Sequence, residues 1–162
     1  MSARRTLLRS LCAGAMMVTT SQLVASNAAL AWDSVSPSCD NRRFLEDQAR
    51  FENEERHTRH ADLPEHVCGR VIAVSRARRT RSGWHGYFYV DVGSDISIRI
   101  VSDLDQMNAP QWPWVAKGDQ VDVVGRYYFD NLRSQGIDWT HHGTGRSWRI
   151  PGYVIVNGRQ YQ

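Results

Sequence analysis

The 162-residue chain carries a formal charge of +3, but that excess sits at one end. Arg4, Arg5 and Arg9 precede residue 31 and all 17 acids follow it, so the remainder is formally neutral and net charge makes no case for a nucleic-acid binder. The length suits one domain with one core, and Lys117 is the only lysine, an arginine bias that by itself says nothing about phosphate recognition.

The first 31 residues read as a cleaved signal peptide. An arginine-bearing start leads into apolar residues 11–18, a polar patch at 19–22 and a short apolar return at 23–25. Ala29-Leu30-Ala31 offers the small residues of a cleavage site, predicting a mature chain from Trp32 in the periplasm or outside the cell. A retained membrane anchor is the rival reading, opposed by the interruption at Thr19, Thr20, Ser21 and Gln22. Arg4-Arg5-Thr6-Leu7-Leu8-Arg9 resembles a twin-arginine export motif, and the choice between the two export routes stays open. Cys12 leaves with this segment. Cys39 and Cys68 remain, and an even pair in an oxidising compartment reads as one disulfide between the start of the first helix and the first strand.

Residues 32–65 are expected to hold one helix and a connector. Asp40 can cap a helix from Asn41 to about Arg56, with Phe44, Leu45, Gln48 and Phe51 as its apolar stripe. The polar residues 57–65 follow as the connector. His57 and His60 lie there at helical spacing, and two histidines alone make a weak metal site.

From His66 the periodicity becomes that of strands. The sequence predicts strands over residues 67–74 and 87–92, then a tight turn at Gly93-Ser94 into a third strand at 96–100. Residues 103–116, with Pro110 and Pro113 among Trp112 and Trp114, read as a loop or one short helix. Lys117-Gly118-Asp119 turns into a strand through Val121, Val123, Gly125 and Tyr127. Another strand starts at Ile137 and runs to His141, and residues 153–156 form a last one before the Asn157-Gly158 hairpin turn. The predicted fold is mainly β: a five-stranded OB-like Greek-key barrel over residues 66–162, preceded by one N-terminal helix, with Gly69 and Gly125 at its bends. A β-sandwich is the alternative, short of strands for two sheets.

Two clusters of residues could carry function. Arg76, Arg78, Arg79 and Arg81 fall between the first two strands, followed by Trp84, Tyr87 and Tyr89. In an OB-like barrel that loop borders the binding face, and guanidinium groups with exposed rings suit an extended or anionic ligand: nucleic acid, anionic glycan or lipid headgroup. The bland counterpart is a solvated arginine-rich hairpin. The second cluster is Asp138-Trp139-Thr140-His141-His142. On a continuous strand Asp138, Thr140 and His142 would share one face, and with His85 the carboxylate and imidazoles have the parts of a hydrolase-type acid–base site. Its counterpart is a core tryptophan among hydrogen-bonded surface groups. The sequence shows no GxSxG elbow, phosphate-binding glycine loop or zinc-ligand spacing, and nothing in it asks for a cofactor. A non-catalytic binding module is therefore the first reading and an enzyme using His85, Asp138, His141 and His142 the alternative.

Residues 136–142 (Gly-Ile-Asp-Trp-Thr-His-His), Gly152-Tyr153 and the closing Asn157-Gly158-Arg159-Gln160-Tyr161-Gln162 resemble a family of short exported bacterial proteins known as a domain of unknown function. His85, Lys117-Gly118-Asp119 and Gly125-Arg126-Tyr127 extend the resemblance over roughly residues 66–162. It implies an exported OB-like fold and no established activity. Two features depart from the family pattern. Ser147 and Trp148 follow Gly145-Arg146 where the family has a histidine, which weakens any three-histidine metal site with His85, His141 or His142. The loop holding Arg76 to Arg81 is basic where the family's is acidic.

Overall fold

The computed structural model describes residues 34–54, 61–143 and 148–162. The expected signal segment, the His57–His60 pair and Gly145-Arg146-Ser147 lie outside the described residues. No described helix is long and apolar enough to cross a membrane.

Helix α1 (Asn41–Glu54) starts as its sequence requires. Asp40 Oδ1 accepts the Arg43 amide at 3.0 Å, satisfying a donor that the first turn leaves without a partner. Asn41 then pins the helix to the sheet, since its side chain accepts from the Cys68 amide and donates to the carbonyls of Cys68 and Val92. The Cys39–Cys68 disulfide, spanning 29 residues, adds the covalent tie. Three of the four residues of the predicted stripe are buried and Leu45 is half-buried: Phe44 meets Tyr127 edge-on at 5.1 Å, Phe51 stacks on Phe129 at 6.0 Å, and Gln48 donates to Gln135.

Among the described residues seven strands follow: β1 (Ala61–Thr80), β2 (Gly83–Gly93), β3 (Ile96–Asp103), β4 (Gln120–Asn131), β5 (Ser134–Asp138), β6 (Tyr153–Val156) and β7 (Arg159–Tyr161). The mainly β class with one N-terminal helix is as predicted. β1 is long enough to serve two neighbours, pairing with β4 through residues 61–70 and with β2 through residues 70–80. With β2–β3, β3–β5 and β5–β4 also paired, five strands close into a ring. β6 takes over the edge of β4 at residues 121–124, and β7 completes the extension across the Asn157-Gly158 turn, whose φ angles of 48° and 87° are those the pair was expected to adopt.

Alternation sorts the faces. Phe88, Val90, Ile98, Ile100, Val123, Tyr127 and Ile137 point into the core, all essentially buried. Close approach fixes two glycines where bends were expected. A Cβ on Gly69 would sit 1.9 Å from the Asp91 carbonyl oxygen, and one on Gly125 would sit 2.4 Å from that of Asp138.

Several predicted boundaries move. Residues 61–65 belong to β1 and not to a connector, because their backbone finds a partner strand in β4. The turn between β2 and β3 centres on Ser94 and Asp95, both at positive φ, one residue later than expected. Residues 104–119 form turns and bends with no helix. The predicted strand through His141 stops at Asp138, because Trp139 takes a left-handed φ of 51° and turns the chain away.

Candidate functional site

The four arginines expected in a loop are mostly on a strand. β1 and β2 form a long hairpin in which Arg78 pairs with His85 and Arg79 with Trp84, so only Arg81 and Ser82 are left for the turn between Thr80 and Gly83. A register shift between Ser75 and Arg78 splits the cluster. Arg78 lands on the outer face of the sheet, with His85, Tyr87 and Tyr89 of β2. Arg76 lines a groove with Trp84 instead. Arg79 and Arg81 are exposed near the hairpin tip.

On the outer face, Arg78, Tyr87, Tyr89, Ser75 and Arg99 line a cleft of about 170 Å³. Arg99 of β3 lies opposite Tyr89, a position that the sequence pattern does not single out. Its guanidinium donates through Nε and Nη2 to the Tyr128 hydroxyl, and this contact with the neighbouring phenols outweighs burial and raises its pKa. Neither Arg78 nor Arg99 has a carboxylate partner among the described residues. Burial raises the Tyr128 hydroxyl despite the adjacent Arg99. The cleft thus presents two cations and two phenol rings with no opposing acid in its lining.

The second expected cluster is spent on structure. Asp138 accepts two hydrogen bonds from Arg126, from Nε at 2.8 Å and Nη2 at 2.7 Å, while burial raises its pKa against that pairing. Trp139 carries the Arg126 guanidinium on its face at 4.1 Å and meets Trp148 edge-on at 5.5 Å. Trp148, which stands near the departure from the family pattern, is thus a packing residue. Thr140 donates to the Val101 carbonyl at 3.0 Å. His141 is buried with Nδ1 3.0 Å from the His142 carbonyl, and its own carbonyl accepts the Gly152 amide. His142 is exposed. His85 Nδ1 lies 3.2 Å from Thr80 Oγ1 and 3.1 Å from the Gly83 carbonyl. Among the described residues no hydrogen bond joins the side chains of any two of His85, Asp138, His141 and His142, and the His141 imidazole meets only the His142 backbone.

Two buried ionisable clusters lay outside the expected residues. His66, 4% exposed, places Nε2 2.6 Å from Asp122 Oδ1 and Nδ1 2.9 Å from the Ser36 carbonyl, which clasps the segment before α1 onto β1. Glu65, 1% exposed, shares a hydrogen bond with Asp47 of α1, while its Oε1 has no partner. Burial, followed by that bond and the Asp47 charge, pushes Glu65 up to about 8. Glu65 falls at the end of the expected polar connector, where no sequence signal marks a carboxyl for burial. Among the described residues no three His, Cys, Asp or Glu side chains gather as a metal site.

Compared with known proteins, the chain matches no family model and no curated relative.

Proposed function

We propose that this chain is an exported, OB-like binding module that holds an extended anionic ligand on the outer face of β2 and β3. The observation that supports this most directly is the cleft in which Arg78 and Arg99 flank Tyr87 and Tyr89 without a carboxylate to neutralise either guanidinium. Tyr87 and Tyr89 sit two positions apart on one strand, which spaces their rings by about 7 Å along it. Consecutive rings or planar groups of an extended polymer can stack at such a stride while the guanidiniums take its phosphate, sulfate or carboxylate groups.

The hydrolase alternative draws less support. Asp138 has both oxygens engaged by Arg126, and His141 is buried with Nδ1 against the His142 carbonyl, so neither is poised to take a proton from a bound substrate.

Fluorescence anisotropy with a labelled single-stranded oligonucleotide and a labelled sulfated oligosaccharide tests the binding reading. Affinity is expected to fall steeply with salt and to drop about tenfold or more in the Arg78→Ala, Arg99→Ala double variant. Absence of binding to either probe at low salt would overturn the proposal, as would affinity unchanged in the double variant.

A further inference from the structure

The groove that holds Arg76 lies on the opposite face of the same hairpin from the cationic cleft, and its chemistry differs. Its volume is about 830 Å³, within the range of small-molecule and oligomer sites of ~300–1,000 Å³. One wall is the β1–β2 hairpin with Trp84, and the other is the segment carrying Leu104, Asp105, Pro110, Gln111 and Trp112.

The walls are tied to one another, so the groove is preformed. Asp105 Oδ2 accepts the Trp84 amide at 2.9 Å, and the Leu104 amide donates to the Trp84 carbonyl at 2.8 Å. Trp112 donates through Nε1 to the Ser75 carbonyl at 3.0 Å, beside the register shift in β1. The Trp112 ring lies against Gly86, where a Cβ would come within 2.5 Å of it. Trp84 itself is 47% exposed although its backbone is held on both sides. A large indole left open to solvent on a backbone held at both its amide and its carbonyl offers a stacking platform.

The polar lining selects among occupants. Arg76 brings a cation, Asp105 a carboxylate and Gln111 an amide, and beyond the Asp105–Trp84 amide bond these side chains have no protein partner among the described residues. A ligand of either charge would meet one opposite and one like charge. A purely apolar ligand would strip water from all three and return no hydrogen bonds, leaving each polar group unpaired. A proline-rich peptide offers carbonyl acceptors and leaves Asp105 without a donor. An uncharged ring with C–H groups on one face and hydroxyls at its edge satisfies the whole lining. The hydroxyls donate to Asp105, accept from Arg76 and do both with Gln111, while the C–H face lies on the electron-rich indole.

We infer that the Trp84 groove is a binding site for an uncharged saccharide, a pyranose chain stacked on Trp84 and bonded at its hydroxyls by Arg76, Asp105 and Gln111. This site is independent of the cationic cleft and does not rest on its ligand.

The test titrates the protein with cellohexaose, maltohexaose and an N-acetylglucosamine hexamer, and separately with decaproline. Binding is followed by saturation-transfer NMR and indole emission. At least one of the three sugars is expected to receive saturation at its ring C–H protons and to shift the indole emission. Its affinity is expected to fall about tenfold or more in Trp84→Ala, fall severalfold in Gln111→Ala, and stay unchanged in the Arg78→Ala, Arg99→Ala variant. Both groove substitutions are at exposed side chains, and circular dichroism of each variant verifies that the fold is retained. The inference is overturned if none of the three sugars binds, if the binding seen is indifferent to both Trp84→Ala and Gln111→Ala, or if decaproline binds in their place. Loss of sugar binding in the Arg78→Ala, Arg99→Ala variant would also overturn it, by placing the sugar in the other cleft.

Discussion

The guanidinium of Arg126 lies 4.1 Å from the centre of the Trp139 ring while it grips Asp138 with two hydrogen bonds. The pair is mostly buried, each side chain 20% exposed, and a third contact reaches Asp62 at 3.0 Å. Arg126→Ala is expected to destabilise the protein by about 3 kcal/mol, because it leaves Asp138 enclosed without its counter-charge. Arg126→Lys keeps the charge but loses the fork and the flat stack, and should recover only part of that loss. Urea unfolding measures both. If Arg126→Ala costs no more than an exposed substitution, Asp138 is not the structural acid described above.

This arrangement also shows where the sequence was readable and where it was not. The period of two in β2 and β3, the Asp40 cap, the Asn-Gly turn and the cysteine pair each carry a local signal, and each appears in the structure. The expected strand from Ile137 to His141 ends early because a left-handed φ at Trp139 has no propensity signature. The turn is imposed by tertiary packing of Trp139 on Arg126 and Trp148. The arginine cluster was visible, but the register shift that sends Arg76 and Arg78 to different sites depends on how β1 pairs with β2. Arg99 joined the site only once β2 and β3 lay side by side. An outward arginine across from an outward tyrosine was the available clue.

The Cys39–Cys68 disulfide closes a loop across 29 residues and anchors the start of α1 to β1. Loop-closure entropy for such a span corresponds to about 3–4 kcal/mol. The Cys39→Ser, Cys68→Ser double variant is expected to lose roughly that amount in equilibrium unfolding. The Asp40 cap and the Asn41 contacts remain, so the far-ultraviolet helical signal should persist at low temperature. A double variant as stable as the parent would show that these non-covalent ties alone fix the helix.

Glu65 gives stability a pH dependence of definite sign. Its native pKa is pushed up to about 8 from the usual value of 4.5 by burial beneath α1 and by Asp47. Between those values the native state holds a proton that the unfolded chain releases. Its contribution is therefore full below pH 4.5, declines as pH rises and levels off above about 8. The whole change is on the order of 5 kcal/mol as an upper bound. Glu65→Gln cannot lose that proton and still offers a donor to Asp47. Its urea midpoint should be nearly flat from about pH 5 to 8.5 and exceed the parent's at the alkaline end. Equal slopes in parent and variant would mean that another group sets the dependence.

Gly86 is where the β2 backbone and the saccharide groove meet. A methyl group there would come within 2.5 Å of the Trp112 ring, against aromatic atoms held by the Ser75 bond and by edge-on packing with Trp114 at 5.5 Å. The ring cannot yield as a flexible chain end would, so Gly86→Ala should displace Trp112 and destabilise the protein by about 1–3 kcal/mol. Trp112→Phe separates the two effects. It removes the indole N–H bond, worth about 1 kcal/mol, while keeping an aromatic face over Gly86. Hydrogen exchange of the Trp112 indole proton reports the displacement directly, with protection in the parent and loss of protection in Gly86→Ala. Binding of the neutral hexasaccharides should weaken in Gly86→Ala and persist in Trp112→Phe, since the bonds from Trp84 to Leu104 and Asp105 still tie the walls when the Trp112 bond is lost. Retained indole protection in Gly86→Ala would show that the backbone yields in place of the ring, and the groove should then keep its ligand.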